Sequence, residues 1–232
     1  MEVVALLTGK GSSSLKNKNL LKINNRPILW YPCSEAKKVS LINKFYVSSE
    51  DEKIINTSKR YGYEPIKRPK NLAKANSQHV DVLMHAINFM KKNNCIPDIL
   101  VVLLANAPIV KKKWILDCIN ILKNNKNTTA AAPVILDNDH NPYRAKTFDG
   151  KYFTNFIKSK NKISSNRQDL PKSYFFCHNF WVLRTKEVIK SNGNPPWNFM
   201  GKRVAPYKIK KSIDIHNMDD LNLAKILLKK SY

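Results

Sequence analysis

A glycine- and serine-containing segment follows the first apolar run of the sequence, residues 3–7. The twelve residues from Thr8 to Asn19 include two glycines, three serines and three lysines. Glycine lets backbone N–H groups approach an anion closely, serine hydroxyls add donors, and lysines supply positive charge. This composition predicts a phosphate-binding loop at the end of a strand. The segment matches neither a Walker A nor a GxGxxG motif, so a flexible turn is an equally good interpretation of these residues alone.

The elements around this loop alternate between short apolar runs and stretches of helical periodicity. Strands are predicted at residues 3–7, 44–48, 99–104, 174–184, 203–209 and 212–215. Helices are predicted at residues 27–39, 51–61, 78–93, 111–123 and 218–229. The run at 99–104 contains no polar residue, which is typical of a central strand buried on both faces. This alternation predicts an α/β fold with a mixed, mostly parallel sheet and helices on both faces.

Residues 137–172 interrupt this pattern with polar sequence rich in lysine and asparagine. We call this segment the arm. Because its apolar residues come singly or in pairs, we expect the arm either to cover the site or to pack on a second subunit, as in a twofold dimer. Phe153, Phe156 and Ile157 are the residues it would bury there. The length of 232 residues, without an internal repeat, predicts one domain over 1–232 that includes the arm.

The strong excess of basic residues indicates which classes of partner the protein could bind. Lysine and arginine exceed aspartate and glutamate by 41 − 17 = 24, so anionic partners are expected: nucleic acid, an acidic membrane surface or phosphorylated substrates. The lysines are spread through nearly every segment, which is also typical of a solvated basic surface. The sequence argues against nucleic acid as a partner, since there is no aromatic RNP-like strand, zinc finger or clustered basic helix.

The four cysteines form no CxxC pair, which argues against a zinc or redox site. The N-terminus lacks the features of a signal peptide, and no apolar run approaches 18 residues. We therefore expect a cytoplasmic protein with reduced thiols and no membrane partner.

Six short blocks occur in the order found in one enzyme family. They are the loop ending in Lys18-Asn19 with Arg26-Pro27, then Val47 to Asp51, Arg68-Pro69 with Leu72-Ala73, Leu103-Leu104 with Pro108, Asn166 to Pro171, and Ser212 to His216 with Asp220-Leu221. The sequence resembles the cytidylyltransferases that activate acidic ulosonic sugars. These are the CMP-sialic acid synthetases, or acylneuraminate cytidylyltransferases, and their legionaminic, pseudaminic and Kdo relatives. The resemblance covers nearly the whole chain.

The resemblance implies a Rossmann-like nucleotide-diphospho-sugar transferase fold with a dimerisation arm. It implies that the anomeric hydroxyl of an α-keto acid sugar attacks the α-phosphate of CTP and releases pyrophosphate, with a divalent metal, Mg²⁺ or Mn²⁺, as cofactor. The catalytic residues would be Lys18 and Asp214. The nucleotide-binding residues would be Lys10, Gly11, Ser12, Ser13, Ser14, Asn19 and Arg68. The sugar-binding residues would be Arg144, Arg167, Gln168, His178 and Asn179.

The sequence departs from the family pattern at several of these positions. The family's loop arginine and lysine fall on Gly9 and Ser13, and the glutamine of its Leu-Leu-Gln block falls on Ala105. Its Asn-Gly-Ala stretch reads as the bulkier His178-Asn179-Phe180. A different sugar pocket is therefore expected.

The metal position also differs, because the family's Asp-Ile-Asp reads Asp214-Ile215-His216. Residues i and i+2 of a strand face the same way, so Asp214 and His216 would be the metal ligands. Mg²⁺ prefers oxygen, whereas imidazole suits transition metals better. Alternatively, His216 is only a helix-start residue beside the cap Asn217.

Two alternative functions remain open at this stage. One is a nucleotidyltransferase of different sugar or nucleotide specificity, or a catalytically silent relative that binds sugar nucleotides. The other, more remote, is a nucleic-acid-binding protein, for which the net charge is the only argument. Separately, Asp81 and His85 are one helical turn apart and could form an acid/base pair, although a simple helix-face contact is the more common role of such a pair.

Overall fold

The computed structural model describes residues 1–11 and 15–229. The strands are β1 (Val3–Thr8), β2 (Lys22–Ile23), β3 (Arg26–Pro27), β4 (Lys44–Ser49), β5 (Glu64–Lys67), β6 (Ile99–Leu104), β7 (Ala130–Leu136), β8 (Lys146–Phe148), β9 (Phe153–Asn155), β10 (Tyr174–Phe176), β11 (Phe180–Arg184) and β12 (Val204–Lys208). The helices are α1 (Trp30–Lys37), α2 (Glu52–Lys59), α3 (His79–Lys92), α4 (Lys112–Asn124), α5 (Thr185–Lys190) and α6 (Met218–Lys229).

The apolar strands β1 and β6 form the centre of an eight-stranded sheet. They pair in parallel from Val3 with Ile99 to Thr8 with Leu104, and all residues of both strands are buried. The strand order is β10-β7-β11-β6-β1-β4-β5, and β12 pairs with β7. Strands β10 and β11 run antiparallel to their neighbours, so the sheet is mixed. This confirms the predicted fold class and the central position of residues 99–104.

The side chains of β1 alternate between two cores. Val3, Ala5 and Leu7 face a cluster that includes α1, α2 and α4, whereas Val4 and Leu6 face a cluster that includes α3 and α5. Helices therefore cover both faces of the sheet, as predicted.

A third hydrophobic cluster anchors residues 212–215, the segment before α6. Ile213 and Ile215 pack with Leu221 of α6 and with Tyr31 of α1. The strand predicted at 212–215 is wrong, because the described structure has no strand there and a single backbone hydrogen bond, from Ile215 to Asn106, joins the segment to the sheet end. The alternating isoleucines that suggested a strand serve instead to anchor an extended segment beneath a helix.

The arm leaves the sheet after β7 and contains the antiparallel hairpin of β8 and β9. Every residue of these two strands is exposed. Phe153 is 73% exposed and Phe156 is 65% exposed, so the described chain does not cover them. The arm as an excursion from the sheet is therefore observed, and its dimerisation role stays a prediction.

Within the described chain, no helix combines the length and the apolar character needed to cross a membrane. All four cysteines lie in described segments, where they are buried and form no disulfide.

Glu35 joins two helices on one face of the sheet. Its Oε2 accepts a 2.7 Å hydrogen bond from the backbone N–H of Lys112, at the start of α4, and its Oε1 contacts Lys38. No side-chain cap of its own satisfies the first N–H groups of α4, so a carboxylate from α1 does so.

We expect Glu35→Ala to reduce the free energy of unfolding by about 1–3 kcal/mol, because a partly buried helix N–H would lose its charged acceptor. Chemical denaturation measures this. Glu52→Ala, at an exposed carboxylate of α2, is the control and should change stability by less than about 1 kcal/mol. Equal losses in the two variants would contradict the capping role.

Candidate active site

A cleft of about 470 Å³ opens where the central parallel strands end. Thr8 is the last residue of β1 and is followed by Gly9 and Lys10; Leu104 ends β6 and Asn106 lies just after it; Arg68 follows β5. Parallel strands bring their carboxyl ends to one edge, which is where ligands bind in open α/β sheets. Strand β11 is antiparallel, so the residues before it, including His178, reach the same edge.

The glycine-containing loop is fastened to the end of β4. The N–H of Gly9 donates to Ser48 O over 3.2 Å, and the N–H of Gly11 donates to Glu50 Oε1 over 2.7 Å. A Cβ atom on Gly11 would lie 2.3 Å from Asp51 Oδ2, so only glycine allows this approach. Ser12, Ser13 and Ser14, which we predicted to bind phosphate, lie outside the described residues.

Two lysines of the loop, both predicted to bind nucleotide, line the cleft. Lys10 follows β1, and Lys18 begins a short 3-10 helix over Lys18–Leu20. Asn19 also lines the cleft and is buried, and its Nδ2 donates to Lys10 O over 2.9 Å. Burial lowers the pKa of Lys18, Asp214 opposes that shift, and Lys10 adds to it. The two ammonium groups make this end of the cleft suitable for an anion.

Arg68 forms a second cationic wall and is only 6% exposed. Its Nε donates to Ser48 Oγ over 3.2 Å, and one terminal nitrogen donates to Ser48 O over 2.6 Å. Burial lowers the pKa of Arg68, and the nearby Glu50 carboxylate opposes this shift. The guanidinium is thus held in a fixed orientation at the cleft.

Asp214 and His216 also line the cleft, and their side chains contact each other. Asp214 Oδ2 lies 2.5 Å from His216 Nε2. The backbone N–H groups of His216 and Asn217 both donate to Asp220 Oδ2, while Asn217 Oδ1 accepts from the N–H of Asp220. This reciprocal pattern is a capping arrangement that starts α6. His216 is therefore a helix-start residue through its backbone and a partner of Asp214 through its side chain.

The donor atoms of this pair fit a divalent cation only in part. One carboxylate oxygen and one imidazole nitrogen converge, but the described residues contain no group of three or more His, Cys, Asp or Glu side chains able to hold a metal. An octahedral ion would need most of its ligands from substrate and water. The two side chains therefore suit a metal ion that is also coordinated by substrate phosphates. They do not form a metal site in which the protein supplies all the ligands.

Two histidines, His79 and His178, also line the cleft. Their imidazoles lie 5.2 Å and 5.7 Å from the ring of buried Trp181, centroid to centroid. Burial lowers the pKa of both histidines; the nearby His178 lowers the pKa of His79 further, whereas Asp214 opposes the shift at His178. Neutral imidazoles can both donate and accept hydrogen bonds.

Sequence reasoning identified His178 but missed His79, Lys74 and Gln78, which also line the cleft. The only available signal was that α3 was predicted to start at Gln78. A polar first turn at the edge of a sheet is common in any α/β protein, so it did not single out these residues.

The other predicted sugar-binding residues do not line this cleft. Arg144 and Arg167 lie in the arm, where both contact the Asp139 carboxylate, at 3.7 Å and 2.7 Å. Gln168 is exposed beside Arg167. Asn179 is fully buried, and its Nδ2 donates to Ile109 O over 2.8 Å. A role for these four residues in sugar binding stays a prediction.

Residues 9–222 match the family model described as cytidylyltransferase. The chain belongs to the cytidylyltransferase family. The matched range includes the glycine-containing loop, Arg68 and the Asp214–His216 pair.

Two relatives of this family member align over nearly its whole length. A pseudaminic acid cytidylyltransferase of Campylobacter jejuni subsp. jejuni serotype O:23/36 (strain 81-176) is 25% identical over 232 residues, which cover 94% of this chain and 92% of the relative. The post-translational flagellin modification protein B of Campylobacter coli is 25% identical over 225 residues, covering 94% and 91%.

Solved structures share the fold. A CMP:2-keto-3-deoxy-manno-octonic acid synthetase complexed with CTP superposes with a TM-score of 0.73 at 14% identity and covers 100% of both chains. A 4-diphosphocytidyl-2C-methyl-D-erythritol synthase superposes with a TM-score of 0.66 at 8% identity over 98% of each chain. These likenesses confirm the nucleotidyltransferase fold predicted from the sequence.

His85 lies behind the cleft on α3 and does not act as an acid/base partner of Asp81 in the described structure. No hydrogen bond joins the two side chains, and the buried Nδ1 atom of His85 has no hydrogen-bond partner there. Burial lowers the pKa of His85 below its ordinary value of 6.5, and Arg68 adds to the shift. The acid/base pairing of Asp81 and His85 is therefore not observed in the described structure.

The lowered pKa of His85 makes the free energy of unfolding depend on pH. Since the unfolded chain takes up the proton more readily, the stability associated with neutral His85 is present above pH 6.5 and is lost as the pH falls toward the folded-state pKa. We expect the wild-type protein to lose more stability than His85→Met between neutral pH and about pH 5. Urea denaturation across that range measures the difference. Parallel curves for the two proteins would contradict it.

Proposed function

We propose that this cytidylyltransferase activates an acidic ulosonic sugar, of the pseudaminic acid type, with CTP. The products would be the CMP-sugar and pyrophosphate. The observation that carries the proposal is the cationic cleft of Lys10, Lys18 and Arg68 at the carboxyl edge of the sheet, within the range that matches the family. The relatives named as pseudaminic acid cytidylyltransferases, which align over nearly the whole chain, favour that class of sugar.

The reaction would proceed by displacement at the α-phosphorus of CTP. The anomeric oxygen forms a bond to phosphorus and its proton is released, while the bond to the bridging oxygen breaks and its electron pair leaves with pyrophosphate. Such transfers depend mainly on positioning and on charge stabilisation. Lys10 and Lys18 would bind the triphosphate, and Arg68 would contact the nucleoside end. At an effective dielectric constant of 20, one charge pair at about 4 Å is of the order of 4 kcal/mol.

Asp214 and His216 would hold a divalent metal together with the triphosphate. When bound, the metal would neutralise charge on the phosphates. The two side chains now contact each other, so binding would replace their mutual hydrogen bond with metal coordination. An imidazole ligand favours Mn²⁺ or another transition metal over Mg²⁺.

The sugar would occupy the side of the cleft lined by His178. Its carboxylate suits Arg144 and Arg167, because guanidinium groups can bind a carboxylate through two parallel hydrogen bonds. Both arginines now contact Asp139, so this role requires the arm to approach a cleft, either its own or that of a second subunit. Gln168 and Asn179 complete the proposed sugar-binding set.

The arm would form a twofold homodimer through its exposed aromatic side chains. A cytoplasmic location, where CTP is made, is part of the same proposal. The single-domain organisation over 1–232 is likewise proposed.

Pyrophosphate release from purified protein tests the function directly. CTP should support release with a nine-carbon ulosonic acid of the pseudaminic, legionaminic or sialic type, and other nucleoside triphosphates should not. Release with another nucleotide, or only with an eight-carbon acid, would favour the alternative of a different specificity. No release with any pair would favour a catalytically silent relative.

The first prediction from this function concerns the loop. Lys18→Ala should weaken CTP binding at least about tenfold, equivalent to ~1.4 kcal/mol, since a half-buried ammonium would be lost from the cleft. Calorimetry measures the affinity. Lys16→Ala removes an exposed lysine that does not line the cleft and should change affinity less than about threefold. Unchanged binding by Lys18→Ala would show that the loop is only a turn.

The second prediction concerns the metal. His216→Asp should shift activity and direct Mn²⁺ binding toward Mg²⁺, because an oxygen would replace the imidazole nitrogen. Asp214→Ala should abolish activity with either ion. If His216 serves only the start of α6, His216→Asp would leave metal preference unchanged and alter stability by no more than about 1 kcal/mol.

The third prediction concerns assembly. The wild-type protein should be a dimer in light scattering at micromolar concentration, and a Phe153→Ser, Phe156→Ser double variant should be monomeric because it removes exposed apolar surface from the arm. Ile189→Ser, at an exposed apolar residue of α5, is the control and should stay dimeric. A monomeric wild-type protein would refute the proposal.

A further inference from the structure

Glu50 links two parts of the cleft that are distant in sequence. Its Oε1 accepts the 2.7 Å hydrogen bond from the N–H of Gly11, 39 positions earlier. Its Oε2 lies 3.9 Å from a terminal nitrogen of Arg68. One carboxylate therefore contacts both the glycine-containing loop and the buried guanidinium.

The burial of this carboxylate shows that it is not a surface contact. The side chain of Glu50 is 14% exposed and that of Arg68 is 5% exposed. The buried Oε2 atom accepts no hydrogen bond within the described chain, so its ion pair with Arg68 is what offsets its desolvation. Among the described residues, Glu50 is the only carboxylate paired with Arg68.

The turn that carries Glu50 also holds the start of the loop. The N–H of Gly9 and two nitrogens of Arg68 all donate to Ser48, and Gly11 packs directly against Asp51. Hydrogen bonds to a charged acceptor are roughly twice as strong as neutral ones. The bond from Gly11 to Glu50 therefore adds a charge-assisted attachment to the described beginning of the loop.

We propose that Glu50 is a positioning residue that fixes the backbone of Gly11 and the guanidinium of Arg68 in one arrangement before the nucleotide binds. This rests on the proposed function, because Glu50 joins the loop that carries Lys10 and Lys18, assigned to the triphosphate, to the guanidinium assigned to the nucleoside end. A preordered loop binds an anion without losing further conformational entropy. Glu50 itself does not line the cleft.

The sign of the effect distinguishes positioning from simple charge. A carboxylate beside a triphosphate site repels the ligand, so electrostatics alone predicts that its removal tightens binding. Positioning predicts the opposite, because the loop and Arg68 would lose their common anchor.

The test compares Glu50→Ala and Glu50→Gln with the matched control Glu52→Gln in the full chain. Glu52 is two residues away, 59% exposed, and paired with Lys67 outside the cleft. Two quantities are measured: the affinity for CTP by calorimetry, and the hydrogen-exchange protection of the Gly11 amide by NMR in nucleotide-free protein. Glu50→Ala should lose about tenfold in both, Glu50→Gln should lose less in the same direction, and Glu52→Gln should stay within about twofold.

Tighter CTP binding by Glu50→Ala would show that the Glu50 carboxylate only repels the nucleotide, which would overturn the proposal. Unchanged protection of the Gly11 amide would also overturn it. A lower melting temperature with unchanged affinity of the folded protein would show a purely structural role and also overturn it. If Glu50→Ala does not fold, Glu50→Gln preserves the side-chain volume and decides the same question. If the wild-type protein fails to bind CTP, the proposed function fails, while the protection of Gly11 still decides the role of Glu50.

Discussion

The parallel pairing of β1 with β6 determines where the cleft forms. The two strands end together at Thr8 and Leu104, and the hydroxyl of Thr8 donates to Leu103 O across the pair. Strand β4 joins the other side of β1 in the same direction, so its terminal residues, Ser48 and Ser49, reach the same edge. Gly9, Lys10 and Asn106 line the cleft from this edge. The complete burial of both central strands makes their register, and hence the edge, hard to shift.

The charge that matters in the cleft is local, not the net charge of +24. Most lysines are spread over exposed surface, where solvent and salt screen them. Lys18 and Arg68 are surrounded by protein, and their charges act through a lower effective dielectric. A few cations at a strand edge therefore account for an anion site, and the net charge alone does not require a nucleic-acid partner.

Departures from the family pattern occur in the loop, at Gly9 and Ser13, as well as at His178 and His216. His178 and His216 both line the cleft, near Asp214. At the family's Asp-Ile-Asp position, the imidazole of His216 takes the place of the second carboxylate and contacts Asp214. Gly9 and Lys10 of the loop and the buried Arg68 also line the cleft.

The sequence by itself determined the fold class, most of the elements and the family. Residues 99–104 and 218–229 match β6 and α6 at both ends, because an uninterrupted apolar run and a capped helical repeat are local signals. Strands β5 and β7 were missed, since Glu64–Lys67 is short and mostly exposed and Ala130–Leu136 contains three alanines and a proline. Their strand state comes from pairing with β4, β11 and β12, which is non-local.

Only the tertiary structure decided which polar residues meet. The sequence indicated Lys10, Lys18, Asn19, Arg68, His178, Asp214 and His216, and the structure brings these seven to one cleft. It also brings His79 there and keeps the arm arginines on Asp139, neither of which any local pattern encodes. The link from Gly11 through Glu50 to Arg68 spans three segments of the chain. Such contacts depend on the order and direction of strands, so they exist only once the sheet has formed.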